Sequence, residues 1–122
     1  MGKRIFIIGP VRGATPEQNL TLDNYVDALE HEGHHVHLPK RDTNQNDPNG
    51  YGILIQNRNA IRASDEVHIY YIKTSDGSKF DLGCVFAYEK PLKLINRDDV
   101  KPTEGKSFEN VLLHMDDAYR TR

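Results

Sequence analysis

Four short apolar runs, separated by stretches of helix length, constrain this chain more than any other feature. Ile5-Phe6-Ile7-Ile8 is β-rich and ends at Gly9-Pro10, so it reads as a buried strand. Thr15-Pro16-Glu17-Gln18 opens a helix: Thr15 can cap, Pro16 suits the first position, and Gln18 can close a capping box. Leu22, Tyr25, Val26 and Leu29 follow at i, i+3, i+4, i+7 as one apolar face, and Gly33 ends the helix. Val36 and Leu38 alternate with His35 and His37, a short strand stopped by Pro39. Lys40 to Gly50 is polar and reads as a loop, and Tyr51 to Ala63 as a helix with Leu54 and Ile61 inward. Val67 to Ile72 is the third strand. Lys73 to Gly77 is a loop, and Ser78 is placed to cap a helix carrying Leu82, Val85 and Phe86. Pro91 to Ile95 is the fourth strand, and Ser107 caps a last helix with Phe108, Val111, Leu112 and Met115 on one face.

Strands joined through helices pair in parallel by right-handed crossovers. The expected fold is therefore α/β: a doubly wound, mainly parallel sheet of four to five strands with helices on both faces, flavodoxin- or Rossmann-like. A chain of 122 residues suits one domain spanning 1–122. Such a domain buries roughly two-thirds of the surface its unfolded chain exposes, without help from a disulfide or metal. Cys84 is the single cysteine, which points to a reducing, cytoplasmic setting. No apolar run approaches the ~18 residues that span a bilayer. The apolar stretch after Met1-Gly2-Lys3-Arg4 is too short for a signal-peptide core. A net charge of −2 with mixed signs disfavours duplex nucleic acid, which selects a concentrated basic face. It leaves a single nucleotide open as ligand.

Ligands of such sheets bind beyond the carboxyl ends of the strands, near the switch in strand order. The loops Gly9 to Ala14, Pro39 to Gly50 and Lys73 to Ser78 are expected to converge there. In the first, glycines let backbone N–H groups approach an anion, and Arg12 can add a bidentate phosphate contact. The spacing fits neither a dinucleotide fingerprint nor a P-loop, and a turn with a solvated arginine is the plain alternative. In the second, Arg41-Asp42-Thr43-Asn44-Gln45 offers groups for a base edge or ribose hydroxyl, or is an ordinary polar loop. In the third, Asp81 is placed in the first helical turn, where the dipole favours a carboxylate. Ser78-x-x-Asp81 is equally a capping-box-like pattern, and local sequence alone favours that role. Gly83 lowers helix propensity and suggests close approach of a backbone or ligand.

Two rival chemistries are set aside. His31-Glu32-Gly33-His34-His35 matches H-E-x-x-H literally, but Gly33 breaks the helix that zinc chemistry needs. A phospho-receiver domain wants acidic residues after the first strand, where this chain has Gly9-Pro10. Cys84, among Leu82, Val85 and Phe86, reads as a buried, inert thiol. Neither a metal nor a cofactor is expected.

The segments Ile7 to Gly13, Asn59 to Val67, Gly77 to Gly83 and Lys90 to Leu92 resemble, in order and spacing, the nucleoside 2-deoxyribosyltransferase family. The Arg12-Gly13 loop is most similar to relatives that hydrolyse nucleoside 5′-monophosphates, where this loop holds phosphate. The resemblance implies a carboxylate that attacks the anomeric carbon, a covalent glycosyl-enzyme, and retention overall, as in retaining glycosidases. By position Asp81 matches the nucleophile. The family's usual residue there is glutamate; aspartate is one methylene shorter. Asn57 matches a position often held by aspartate, and Ser75 one near the sugar or phosphate. The implied contacts are Gly9, Arg12 and Gly13 at the 5′ end, with Asp42, Asn57 and Ser75 at sugar or base. Pro10, Gly77 and Ser78 complete the expected substrate contacts. The partner implied is a nucleoside or nucleoside monophosphate, with no duplex nucleic acid and no membrane. The family's habit of completing its site between subunits implies a homodimer or larger. The alternative is a noncatalytic nucleotide-binding or sensor protein on the same fold.

Overall fold

A computed structural model describes residues 2–122. It contains β1 (Arg4–Ile8), α1 (Pro16–His31), β2 (His35–His37), α2 (Pro39–Asp42), α3 (Tyr51–Ala63), β3 (Glu66–Ile69), α4 (Asp76–Ala87), β4 (Leu92–Leu94) and α5 (Phe108–Arg120). The four strands form one parallel sheet in the order β2-β1-β3-β4. The chain steps from β1 out to β2, then returns across β1 to β3, so the switch in strand order lies between β1 and β3. Among the described residues no helix is long and apolar enough to cross a membrane.

Alternation along β1 builds both layers. Phe6 and Ile8 pack with Val67, Ile69, Leu92 and Leu94 under Ile61 of α3 and Leu82 and Val85 of α4. Ile5 and Ile7 face the other way, under Leu22 and Val26 of α1. The start of α1 follows the sequence. Thr15 Oγ accepts from the Gln18 N–H at 3.1 Å, and Gln18 Oε1 accepts from the Thr15 N–H at 3.0 Å. Gly9 lets α1 come close: a Cβ there would lie 2.8 Å from Leu22 Cδ1.

Several boundaries differ from expectation, each for a local reason. Pro39–Asp42 is a helical turn rather than loop, because the Asp42 carboxylate accepts from the Leu38 N–H at 2.9 Å and closes it. β3 ends at Ile69 instead of Ile72, since no strand continues beside it. The Asn96 side chain takes the strand's place there. It accepts from the Tyr71 N–H and donates to the Tyr71 carbonyl, both at 2.8 Å. On α5, Phe108 and Val111 are exposed, while Leu112 and Asp116 are buried, so the inward face is rotated from the one the periodicity predicts. Asp116 is what turns it, through contacts with the edge strand β4.

β3 is buried on both sides, and its second face is polar. Glu66 accepts from Lys3 at 2.8 Å, Tyr119 at 2.5 Å and His68 at 2.5 Å, and Tyr25 OH meets His68 Nδ1 at 2.7 Å. Burial alone would raise the Glu66 carboxyl. Its three donors win and hold it down at about 2.

Candidate active site

A cleft of about 690 Å³ opens at the carboxyl ends of β1, β2 and β3, beside the switch in strand order. Its walls are the first loop (Gly9, Val11, Arg12, Gly13), the third loop with the start of α4 (Thr74 to Ser78), and one face of α3. That face presents Gly50, Ile53, Leu54 and Asn57 at helical spacing, with Pro39, Gln45 and Asn49 beside it. Asp81 lies within it and is only 7% exposed. Among the described residues Arg12 is the one cation lining the cleft, exposed on its rim. Gly13 has φ +71°, a left-handed turn that glycine adopts without strain.

The local role of Asp81 is not capping. Ser75 is the N-cap of α4, accepting from the Ser78 N–H at 3.3 Å, and Ser75 Oγ donates to Ser78 Oγ at 2.9 Å. The helix starts at Asp76, so Asp81 belongs to its second turn and Ser78 is not the cap. This also corrects the electrostatics expected from the sequence. The dipole's influence falls off within the first turn, and burial dominates at Asp81. It pushes the carboxyl up to about 7, against one opposing hydrogen bond from Asn57. That bond, Asn57 Nδ2 to Asp81 Oδ2, is long at 3.5 Å. A buried carboxyl titrating near neutrality in a cleft of loops is a candidate reactive group on physical grounds.

Gly9, Arg12, Gly13, Asn57, Ser75, Gly77, Ser78 and Asp81 thus come together around one space. Pro10 is buried behind the first loop and does not line it. Asp42 is not brought to the cleft either. Its carboxylate is spent on the Leu38 N–H and on Arg41 at 2.9 Å, on the side of α2 facing a separate hollow. Gly83 admits no close neighbour: a Cβ there meets open space. Cys84 is half-buried rather than buried, and burial raises its thiol above the usual value. His31 ends α1 and His35 begins β2, so they share no helix face. Sequence reading missed Ile53 as a wall of the cleft, while Gln45, Thr74 and Asp76 lie in loops it had pointed to. Ile53 was findable, one turn before Asn57 on the same helix face.

Neither a protein-family profile nor a curated protein sequence matches this chain. Solved structures do. A CMP N-glycosidase, BcmB, from Clostridium botulinum superposes with TM-score 0.57 at 21% identity, covering 75% of this chain and 70% of that one. A 2-deoxyribosyltransferase from Bacillus psychrosaccharolyticus gives 0.62 at 18% identity, covering 89% and 90%. A conserved protein from Enterococcus faecalis gives 0.67 at 13%, covering 97% and 88%. This chain has the fold shared by nucleoside 2-deoxyribosyltransferase and nucleotide N-glycosidase structures.

Proposed function

We propose that this protein is a cytoplasmic enzyme that cleaves or transfers the N-glycosidic bond of nucleosides or nucleoside 5′-monophosphates. Asp81 is the nucleophile in this reading. The observation that carries it is the buried Asp81 carboxyl in a cleft whose rim holds an exposed arginine. A sugar lying between them would place C1′ toward Asp81 and its 5′ end toward Gly9, Arg12 and Gly13. Likeness in fold to a CMP N-glycosidase and a 2-deoxyribosyltransferase supports N-glycosidic-bond chemistry as the reading.

The chemistry needs the ionised carboxylate. An Asp81 oxygen bonds to C1′ while the C1′–N bond breaks, its electron pair leaving on the base, which takes a proton from solvent. Water then attacks C1′, releases the carboxylate and yields a free sugar and a proton; a second base attacking instead gives transfer. Two inversions give net retention. Asn57 can hold a hydroxyl or the carboxylate but has no proton to exchange at neutral pH. Ser75, Gly77 and Ser78 line the same cleft and contact sugar or base in this reading.

Incubation with a panel of ribo- and deoxynucleosides and their monophosphates, with and without an acceptor base, tests this by chromatography of released or exchanged base. Binding without turnover would leave the nucleotide-sensor reading standing, which the aspartate in place of glutamate favours. Arg12→Ala is expected to lower kcat/KM for monophosphates about tenfold to a hundredfold, the worth of one charge-assisted hydrogen bond. Nucleosides should change little; equal loss on both would remove Arg12 from the phosphate site. The reading includes a homodimer or larger, for which exposed Tyr51 and Phe80, on the two helices flanking the cleft, offer apolar surface. Sedimentation equilibrium reads the mass.

A further inference from the structure

A polar chain runs through the protein from the cleft to the hollow on the far side of α3. Asp81 receives the Asn57 amide, and Asn57 Oδ1 lies 2.8 Å from Thr43 Oγ. Thr43 Oγ in turn lies 2.8 Å from His37 Nε2. Thr43 and Asn57 are buried, at 4% and 5% exposure. His37 is half-buried, stacked on Phe6 with ring centroids 5.2 Å apart, and lines the second hollow. Residues from β2, the segment after α2, α3 and α4 therefore form one series of contacts that ends on the reactive carboxyl.

The proton count in this chain has two consistent solutions. In one, His37 Nε2–H donates to Thr43, Thr43 donates to Asn57 Oδ1, and the Asn57 NH₂ faces Asp81. Every donor then has an acceptor, and the carboxylate is ionised. In the other, the Asn57 amide is turned over and its carbonyl faces Asp81. That is acceptable only if Asp81 carries a proton to donate, because two acceptors repel. We propose that Thr43 and His37 are positioning residues, which hold the Asn57 amide with its NH₂ toward Asp81 and so favour the ionised nucleophile. The proposal rests on Asp81 being the reactive group, but its central claim concerns proton placement and is measurable without turnover.

Burial lowers the His37 pKa, with Asp42 opposing and Arg41 adding to it, which favours the neutral ring. The proposal requires that ring to carry its proton on Nε2, the nitrogen facing Thr43. Asp81 faces Asn57 from α3; Asp76 and Arg12 line its cleft, and Cys84 lies along α4 beside it. Thr43→Val keeps the shape and removes the hydroxyl. Asn57 is then free to turn when Asp81 is protonated.

The experiment is a ¹³C NMR titration of carboxyl-labelled aspartate in the full chain, with Asp81 assigned by loss of its signal in Asp81→Asn. Thr43→Val is expected to raise the Asp81 midpoint by about one pH unit, the effect of losing one hydrogen bond to the charged form. Thr43→Ser should restore it. On the substrate found by the panel, the acidic limb of kcat/KM should move by the same amount, roughly a tenfold loss below pH 6 with little change at pH 9. An unchanged Asp81 midpoint in Thr43→Val overturns the proposal. Should that variant fail to fold, ¹⁵N shifts of His37 in the unaltered protein decide: Nε2–H supports the chain, and a bare Nε2 overturns it. A protein with no turnover but a shifted midpoint would refute the enzyme reading and leave the positioning intact.

Discussion

Asp81→Asn is expected to lower kcat by roughly a thousandfold or more, as loss of a covalent nucleophile does, and at pH 8 to make the protein more stable. Both effects come from one feature. The carboxyl is buried and titrates at about 7 instead of its ordinary 3.8. Below pH 4 it is protonated in the folded and unfolded chains, and burial carries no charge penalty. Between about pH 4 and 7 the unfolded chain releases the proton and the folded chain keeps it, so stability falls as pH rises. Above 7 the whole penalty is present. A shift of about three pH units corresponds to an upper limit of about 4 kcal/mol. Asparagine has nearly the same shape and never ionises. Its stability gain, read by urea unfolding, should be near zero at pH 4 and reach about 2–4 kcal/mol at pH 8. A gain independent of pH would mean that Asp81 is not buried as a charge. On the proposed mechanism the unaltered protein should also show kcat/KM rising with pH through a midpoint near 7, because that mechanism attacks with the ionised carboxylate.

The sheet and the cleft were largely legible from the sequence because both depend on local signals. The run Ile5 to Ile8 is buried as read, and Thr15, Pro16 and Gln18 build the cap their spacing implies. The three loops expected to converge do so, since parallel order fixes which strand ends share a rim. What was not legible depends on distant partners. Glu66 and His68 are buried polar residues whose companions Lys3, Tyr25 and Tyr119 come from both ends of the chain. Asp42 has the composition of a ligand contact but bonds to its own turn, a geometry set by where Arg41 lies. Thr43 was one of five polar residues in a loop, and only its place between His37 and Asn57 separates it from the others. Asp81 was placed nearly a full turn too early because Ser75 and Ser78 are equally good caps on paper. The capping serine decides whether the dipole or burial governs the carboxyl.

Asp116→Ala should be the most destabilising single change on α5, lowering stability by about 3 kcal/mol and Tm by roughly 10 °C. β4 is an edge strand, and edge strands present unpaired N–H and C=O groups. Here α5 covers that edge with side chains arranged like a fifth strand. Asp116, fully buried, accepts from the Leu94 N–H at 2.7 Å, and Arg120 donates to the Leu94 carbonyl at 3.2 Å. Arg120 also donates to Asp116 at 2.6 Å, and Arg97 reaches the same carboxylate. Burial would raise the Asp116 carboxyl, but donors from Arg120, the Leu94 backbone and Arg97 outweigh it and hold it low. Truncation leaves the Leu94 N–H buried without an acceptor and two half-exposed arginines without their anion. Asp116→Asn keeps an acceptor and loses the charge, so it should lie between the two. The pH dependence has the opposite sign to that of Asp81. Stabilisation by a carboxyl with a lowered pKa is present above the ordinary value near 4 and is lost as pH falls through the folded value. The gap between Asp116→Ala and the unaltered protein should therefore be widest at neutral pH and narrow in acid. A gap that stays constant down to pH 2 would assign Asp116 a packing role only. The uncovered Leu94 edge should also make Asp116→Ala more prone to self-association than Asp116→Asn, read by light scattering at matched folded fraction.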